Sequence, residues 1–152
     1  MRGVIAARKL LQRLDIRECP IRIEAVCHQL GIGILYRKMG EPSGCYAEDP
    51  ITRRTFIVIN ENKSWAHKRF SAAHELGHAI LRHPPGAMMM GGLKLNPYDK
   101  RLETEADHFA AEFLMPKNLL VSRGYMTAEE IARLCRVSIT AARIRAERLG
   151  WL

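Results

Sequence analysis

The sequence predicts an α+β fold, a small three-stranded sheet set among helices and continued by a helical tail. Three observations carry this reading. Apolar residues recur at helical spacing at both ends of the chain, three short segments between residues 32 and 59 read as strands, and loops bearing proline and glycine separate the two periods. The 152 residues fit a single folding unit, large enough to bury roughly 70% of the surface exposed when unfolded. A content of 26% charged and 47% hydrophobic residues excludes a disordered or collagen-like chain. No uncharged run approaches the ~18 apolar residues of a membrane-spanning helix.

Each element has its own signal. Val4, Ala7, Leu11 and Leu14 share one helical face. Beyond Pro20, Ile23, Val26, Cys27 and Leu30 repeat at i, i+3, i+4 and i+7, a second short helix. Gly31 and Gly33 mark a change of period, after which Ile32, Ile34 and Tyr36 alternate as a strand. A further strand fits Cys45–Glu48, and Thr55-Phe56-Ile57-Val58-Ile59 is the strongest strand signal of all. From about Ser64 to Arg82 the period is helical again, with Ala66, Phe70, Ala73, Gly77 and Ile80 on one side. Residues 84–97, rich in proline, glycine and methionine, cannot continue that helix; flexible methionines there suit a recognition surface, or the segment is a plain connector. Another helix runs from about Lys100 to Met115 and stops before Pro116. Short helices broken at Gly124 and Gly150 complete the chain. The expected division is a domain over 1–116 with a helical tail, 117–152, packed on it.

The net charge of +8 is spread along the chain rather than gathered in one tract, a weak pointer to nucleic acid. Cys19, Cys27, Cys45 and Cys135 contain no Cys-x-x-Cys pair and are expected to be reduced. Arg8 and Lys9 interrupt the N-terminus before a secretion signal could develop, so a cytoplasmic setting is expected.

The chemistry concentrates in Phe70-Ser71-Ala72-Ala73-His74-Glu75-Leu76-Gly77-His78. Four residues apart on a helix, His74 and His78 present both imidazoles on one face, the bite for a single zinc ion, with Glu75 beside them to hold a water. A catalytic zinc needs a third protein ligand from elsewhere, and the helix over 100–115 offers several candidates. On a wheel with Leu102 at zero, Glu103 falls near about 100° and Asp107 near about 140°, both flanking the apolar face. Glu105, His108 and Glu112 fall on the outer side. Glu103 is therefore the favoured third ligand, and Asp107 is an acceptor for a ligand histidine's other nitrogen or a solvated carboxylate. His67, about 10 Å from His74 by helical rise, is a rim or surface residue.

These residues resemble the ImmA/IrrE family of metallopeptidases. The likeness rests on the motif just quoted together with Glu103-Thr104-Glu105-Ala106-Asp107-His108-Phe109-Ala110-Ala111-Glu112-Phe113-Leu114-Met115-Pro116, and spans roughly residues 20–150. It implies a minimal zincin-like peptidase domain, places the third metal ligand on Glu103, and implies a protein substrate of the Xre-type helix-turn-helix repressor class in phage or mobile-element circuits. In that reading His74, His78 and Glu103 hold zinc, with manganese or iron(II) as alternatives, and Glu75 is the general base. Tyr46, Tyr98 and His83 are candidates for an oxyanion donor by residue type alone. The strand Thr55–Ile59 is either an edge that accepts a substrate strand or plain sheet core.

In the tail, Thr127-Ala128-Glu129-Glu130 is a capping box opening a helix, and Ser138 caps a second helix carrying Arg143, Arg145 and Arg148. The pair resembles a helix-turn-helix unit, although Arg136 stands where such turns usually carry glycine. The alternative to a peptidase is thus a DNA-binding or repressor-sequestering regulator whose metal site is structural or silent.

Overall fold

Helix α1 (Arg2–Arg13) buries Ala7, Leu10 and Leu11 along α4 (Lys100–Leu114), and the two come close enough that backbone meets backbone. A Cβ added at Gly3 would lie 2.1 Å from the Glu105 carbonyl oxygen, so only glycine fits there. The coordinates are a computed structural model and describe residues 1–85, 87–88 and 100–152. Helix α2 (Ile23–Leu30) ends at Gly31, whose φ of +73° is the left-handed turn that glycine adopts without strain. From there the chain enters β1 (Gly33–Arg37).

The sheet has the order β1-β3-β2-β4, with β2 spanning Gly44–Glu48 and β3 spanning Thr55–Asn60. The three expected strands are joined by a two-residue fourth, β4 (Ala87–Met88), parallel to β2 at its Ala47–Glu48 end. Strand β3 pairs in parallel with β1, Ile34 opposite Ile57, and antiparallel with β2, Cys45 opposite Val58. It is therefore central, and its reading as an open edge is overturned. The physical reason lies in its composition: a continuous apolar run suits a strand covered on both faces. Ile57 and Ile59 face the main core, while Val58 packs with Cys45 and Ala47 in a second, small cluster. At the end of β3, fully buried Asn60 donates from Nδ2 to the carbonyls of Met39, Gly40 and Pro42 at 3.1, 3.1 and 2.8 Å. That fan of bonds fixes the loop leading into Gly44.

Helix α3 (Trp65–Ile80) begins at Ser64, whose Oγ accepts from the His67 backbone N–H at 3.2 Å. Its buried face carries Ala72, Ala73 and Leu76, and Gly77 meets α4 directly: a Cβ there would lie 3.0 Å from the side chain of Phe109. Gly77 thus lets α3 and α4 approach at the level of the two histidines.

Beyond α5 (Lys117–Ser122), α6 (Ala128–Cys135) and α7 (Ile139–Arg148) are joined by a tight turn. The Thr127–Glu130 capping box is formed, and Arg136 takes a left-handed φ of +57°, the conformation for which glycine is usual. Its carbonyl accepts from Arg69 Nε at 3.0 Å and its guanidinium lies over Trp65. Residues of α6 and α7, among them Ile131, Cys135, Ala142 and Ala146, share one apolar cluster with α1, α3 and α4. All four cysteines are free thiols. Among the described residues, no helix is long and apolar enough to cross a membrane.

Candidate metal centre

One turn apart on α3, His74 and His78 face Glu103 in the first turn of α4. One ligand atom from each lies within 4.8 Å of the others. His78 Nε2 is 3.1 Å from His74 Nε2 and 2.9 Å from Glu103 Oε1, and His74 Nε2 is 3.4 Å from Glu103 Oε2. The opposite nitrogen of His74, Nδ1, lies 2.8 Å from Asp107 Oδ1. A carboxylate only accepts, so that contact places the imidazole proton on Nδ1 and leaves Nε2 bare. A bare nitrogen turned toward a carboxylate and a second imidazole nitrogen is repulsive unless a proton or a metal cation sits among them. The donor set therefore fits a metal ion.

Electrostatics around the three are uneven. Burial pushes the Glu75 carboxyl up from 4.5 to about 7, with the attraction of His74 working against it. His78, fully buried, is held down at about 3, first by burial and then by the neighbouring His74 and His83. For His74 burial also opposes protonation, but the Asp107 bond and the carboxylates of Glu75, Asp107 and Glu103 outweigh it and raise its pKa. A cleft of about 360 Å³ opens beside these groups between Pro42, Ser43 and Gly44 on one side and Phe70, Ser71 and Asp107 on the other. Gly44 is the point where β2 meets the site, since a Cβ there would be 3.6 Å from Glu75 Cγ.

His67 is exposed on the cleft rim, its Nε2 2.7 Å from Ser43 Oγ. Glu105 and Glu112, expected on the outer side of their helix, are buried, and His108 is half-buried. A helix with one covered face would leave them outside, whereas α1 lies along the second side of α4 and brings Arg2 to Glu105 and Arg8 to Glu112. Glu105 is outside the ligand cluster, as its angle on the wheel requires. His83 is no oxyanion donor: it lies behind His78, with Nδ1 2.8 Å from His78 Nδ1 and Nε2 3.0 Å from Glu105 Oε2. Tyr46 is buried in β2 and does not line the cleft. Tyr98 and most of the methionine-rich segment lie outside the described residues. Arg145 is buried on Glu112 and the Met115 carbonyl, whereas Arg143 and Arg148 are exposed. The His83–Glu105 pair is what sequence reasoning missed, because no periodicity announces a residue that reaches back beneath its own helix.

Two helices that bring a His-x-x-x-His pair and a glutamate together beneath a small sheet define a zincin-like peptidase domain. The chain belongs to the metallopeptidase family of the IrrE N-terminal-like domain, whose profile matches residues 27–147. It is 33% identical over 95 residues to Metallopeptidase ImmA of Bacillus subtilis (strain 168), covering 62% of this chain and 54% of that one. It is 41% identical over 76 residues to the uncharacterized immunity region protein 2 of Bacillus phage phi105, covering 50% of this chain and 46% of that one. The chain thus spans about half the length of these curated relatives. A solved Mycobacterium tuberculosis transcriptional regulator shares the fold, with a TM-score of 0.61 at 13% identity over 95% of this chain and 46% of that one.

Proposed function

We propose that the protein is a metal-dependent endopeptidase that cleaves a regulatory protein of the Xre-type helix-turn-helix repressor class. The observation that carries the reading is the convergence of His74, His78 and Glu103 beside a buried carboxylate, Glu75. His74, His78 and Glu103 would hold the ion, zinc by the chemistry of two imidazoles and a carboxylate, with manganese or iron(II) able to use the same set. When bound, the metal supplies Lewis acidity that lowers the pKa of a water and polarises the peptide carbonyl. Glu75 accepts the proton of the attacking water and hands it to the departing amide nitrogen. Its surroundings suit that task, because burial places its pKa near 7, where a carboxylate both takes and returns a proton. Asp107 keeps the His74 ring in one orientation through Nδ1.

The substrate backbone would add to β2 rather than to β3. Gly44 is where β2 comes nearest Glu75, so an extended peptide laid along β2 would run past that carboxylate. The repressor assignment draws on the relatives, one named a metallopeptidase and one an immunity region protein of a phage.

The test is a cleavage assay against the Xre-type repressor encoded nearest the gene, with zinc or manganese added and products identified by mass spectrometry. Wild type should give a discrete cut, Glu75→Gln should give none while still binding metal, and Glu103→Ala should lose the metal. Cleavage retained by Glu75→Gln would overturn the mechanism. The helix-turn-helix outline of α6 and α7, with exposed Arg143 and Arg148, favours a second reading as a DNA-binding or repressor-sequestering regulator. Sequence-specific gel-shift binding that survives Glu75→Gln, without new termini in the repressor, would select it.

A further inference from the structure

Helix α3 ends by folding back on itself. Leu81 closes the last turn, Arg82 takes a left-handed φ of +59°, its N–H donates to the Ala79 carbonyl at 3.1 Å, and the His83 N–H donates to the His78 carbonyl at 2.9 Å. This reversal is usually built on glycine. With a side chain at that position the conformation is strained, so something must hold it. What it achieves is placement: His83, 5% exposed, lies beneath His78. The two Nδ1 atoms are 2.8 Å apart, His83 Nε2 is 3.0 Å from Glu105 Oε2, and Arg2 Nη1 reaches the same oxygen at 3.3 Å.

Proton counting orders this chain of contacts. Arginine only donates and an ionised carboxylate only accepts, so Glu105, paired with Arg2, accepts a hydrogen bond from His83 Nε2–H. A neutral imidazole carries one N–H, which leaves His83 Nδ1 as an acceptor. The proton between the two rings then belongs to His78 Nδ1, and His78 Nε2 is bare, facing His74 Nε2 and Glu103 Oε1. We propose that His83, oriented by Glu105, is a positioning residue that fixes His78 as its Nδ1–H tautomer and so aims Nε2 at the metal. The inference rests on the metal-site reading above and deepens it. The two ligand histidines are thus held differently: His74 directly by an exposed carboxylate, and His78 through a buried ring that passes the constraint to a carboxylate farther off. The outer end of this support lies on α1, where Arg2 pairs with Glu105 and Gly3 packs on its carbonyl, ahead of the residues 27–147 that define the family match.

Two measurements test it, neither of which needs a substrate. In zinc-loaded wild type, a two-bond 15N–1H NMR correlation should show His83 as the Nε2–H tautomer; an Nδ1–H tautomer overturns the proposal, and no variant has to fold for that result. Zinc affinity by chelator competition should then fall about 10–100-fold in His83→Leu, the loss typical when such a supporting contact to a metal ligand is removed. His83→Gln, whose side-chain oxygen can still accept from His78 Nδ1–H, should recover most of it. Equal affinity in wild type and His83→Leu overturns the proposal while leaving the peptidase reading intact. Equal losses in the leucine and glutamine variants also overturn it, because they indicate packing rather than a hydrogen bond. Wild type that takes up no metal overturns the reading beneath it and the inference with it.

Discussion

Glu75 shows what burial does to a single residue. Its side chain sits in a low-dielectric pocket, so the charged form is disfavoured and the carboxyl rises from 4.5 to about 7. An acid with a raised native pKa binds an extra proton in the folded state between those two values. Its contribution to the stability of the metal-free protein therefore falls as pH rises from about 4.5 to about 7, and the penalty is fully present above that range. Glutamine carries no such penalty. In metal-free protein, Glu75→Gln should be more stable than wild type by up to about 3 kcal/mol at pH ~8, and the difference should vanish below pH ~4.5. Urea unfolding at the two pH values checks this; a constant difference would mean that burial does not control the group. The shift of His78 in the opposite sense is common to both proteins and cancels. The place of Glu75 beside His74 was legible in the sequence, but its raised pKa was not, since desolvation is a property of the surroundings.

At the scale of the element, the site depends on how closely two helices approach. Gly77 lies between His74 and His78 in sequence and faces Phe109 of α4, where a Cβ would be 3.0 Å from the ring and its Cβ. The pattern Ala72, Ala73 and Leu76 on α3 against Ala106, Phe109, Ala110 and Phe113 on α4 alternates small and large residues across the contact. Gly77→Ala should therefore act against its favourable helix propensity. Overpacking would cost about 1–3 kcal/mol and move Glu103 away from the histidines. Thermal unfolding together with zinc competition would show a lower midpoint and a weaker site, whereas a higher midpoint would mean that Phe109 yields. The helices themselves were readable from period and caps, and so was the flank carrying Glu103 and Asp107. The second covered side of α4 was not, because α1 arrives from a hundred residues earlier in the chain and its partner cannot be deduced from its own pattern.

For the whole molecule, the tail is tied to the rest by charge buried in the core. Glu112, 1% exposed, accepts from Arg8 of α1 at 2.7 Å and from Arg145 of α7, and Arg145 Nε also donates to the Met115 carbonyl at 3.0 Å. Removing Arg145 leaves the buried Glu112 carboxylate with only the half-exposed Arg8 as its charged partner. Arg145→Ala should cost about 3–5 kcal/mol, whereas Arg143→Ala and Arg148→Ala, both exposed, should stay within about 0.5 kcal/mol. Urea denaturation of the three variants separates a structural arginine from surface ones. A small effect at Arg145 would mean that the tail does not depend on this contact.

Local order determined what the sequence alone could specify. Periods of two and of 3.6 placed the strands and helices, capping residues set helix starts at Ser64, Thr127 and Ser138, and a four-residue spacing put two imidazoles on one face. Each depends on neighbours within a turn or two, so each is written in the order of residues. Tertiary structure alone decided that β3 is central, that Glu105 and Glu112 are buried, that Arg145 points inward, and that His83 stands behind His78. Those outcomes depend on which distant element removes water from a given face. The free energy of burying or pairing a charged group is set by that contact, not by the segment that carries it.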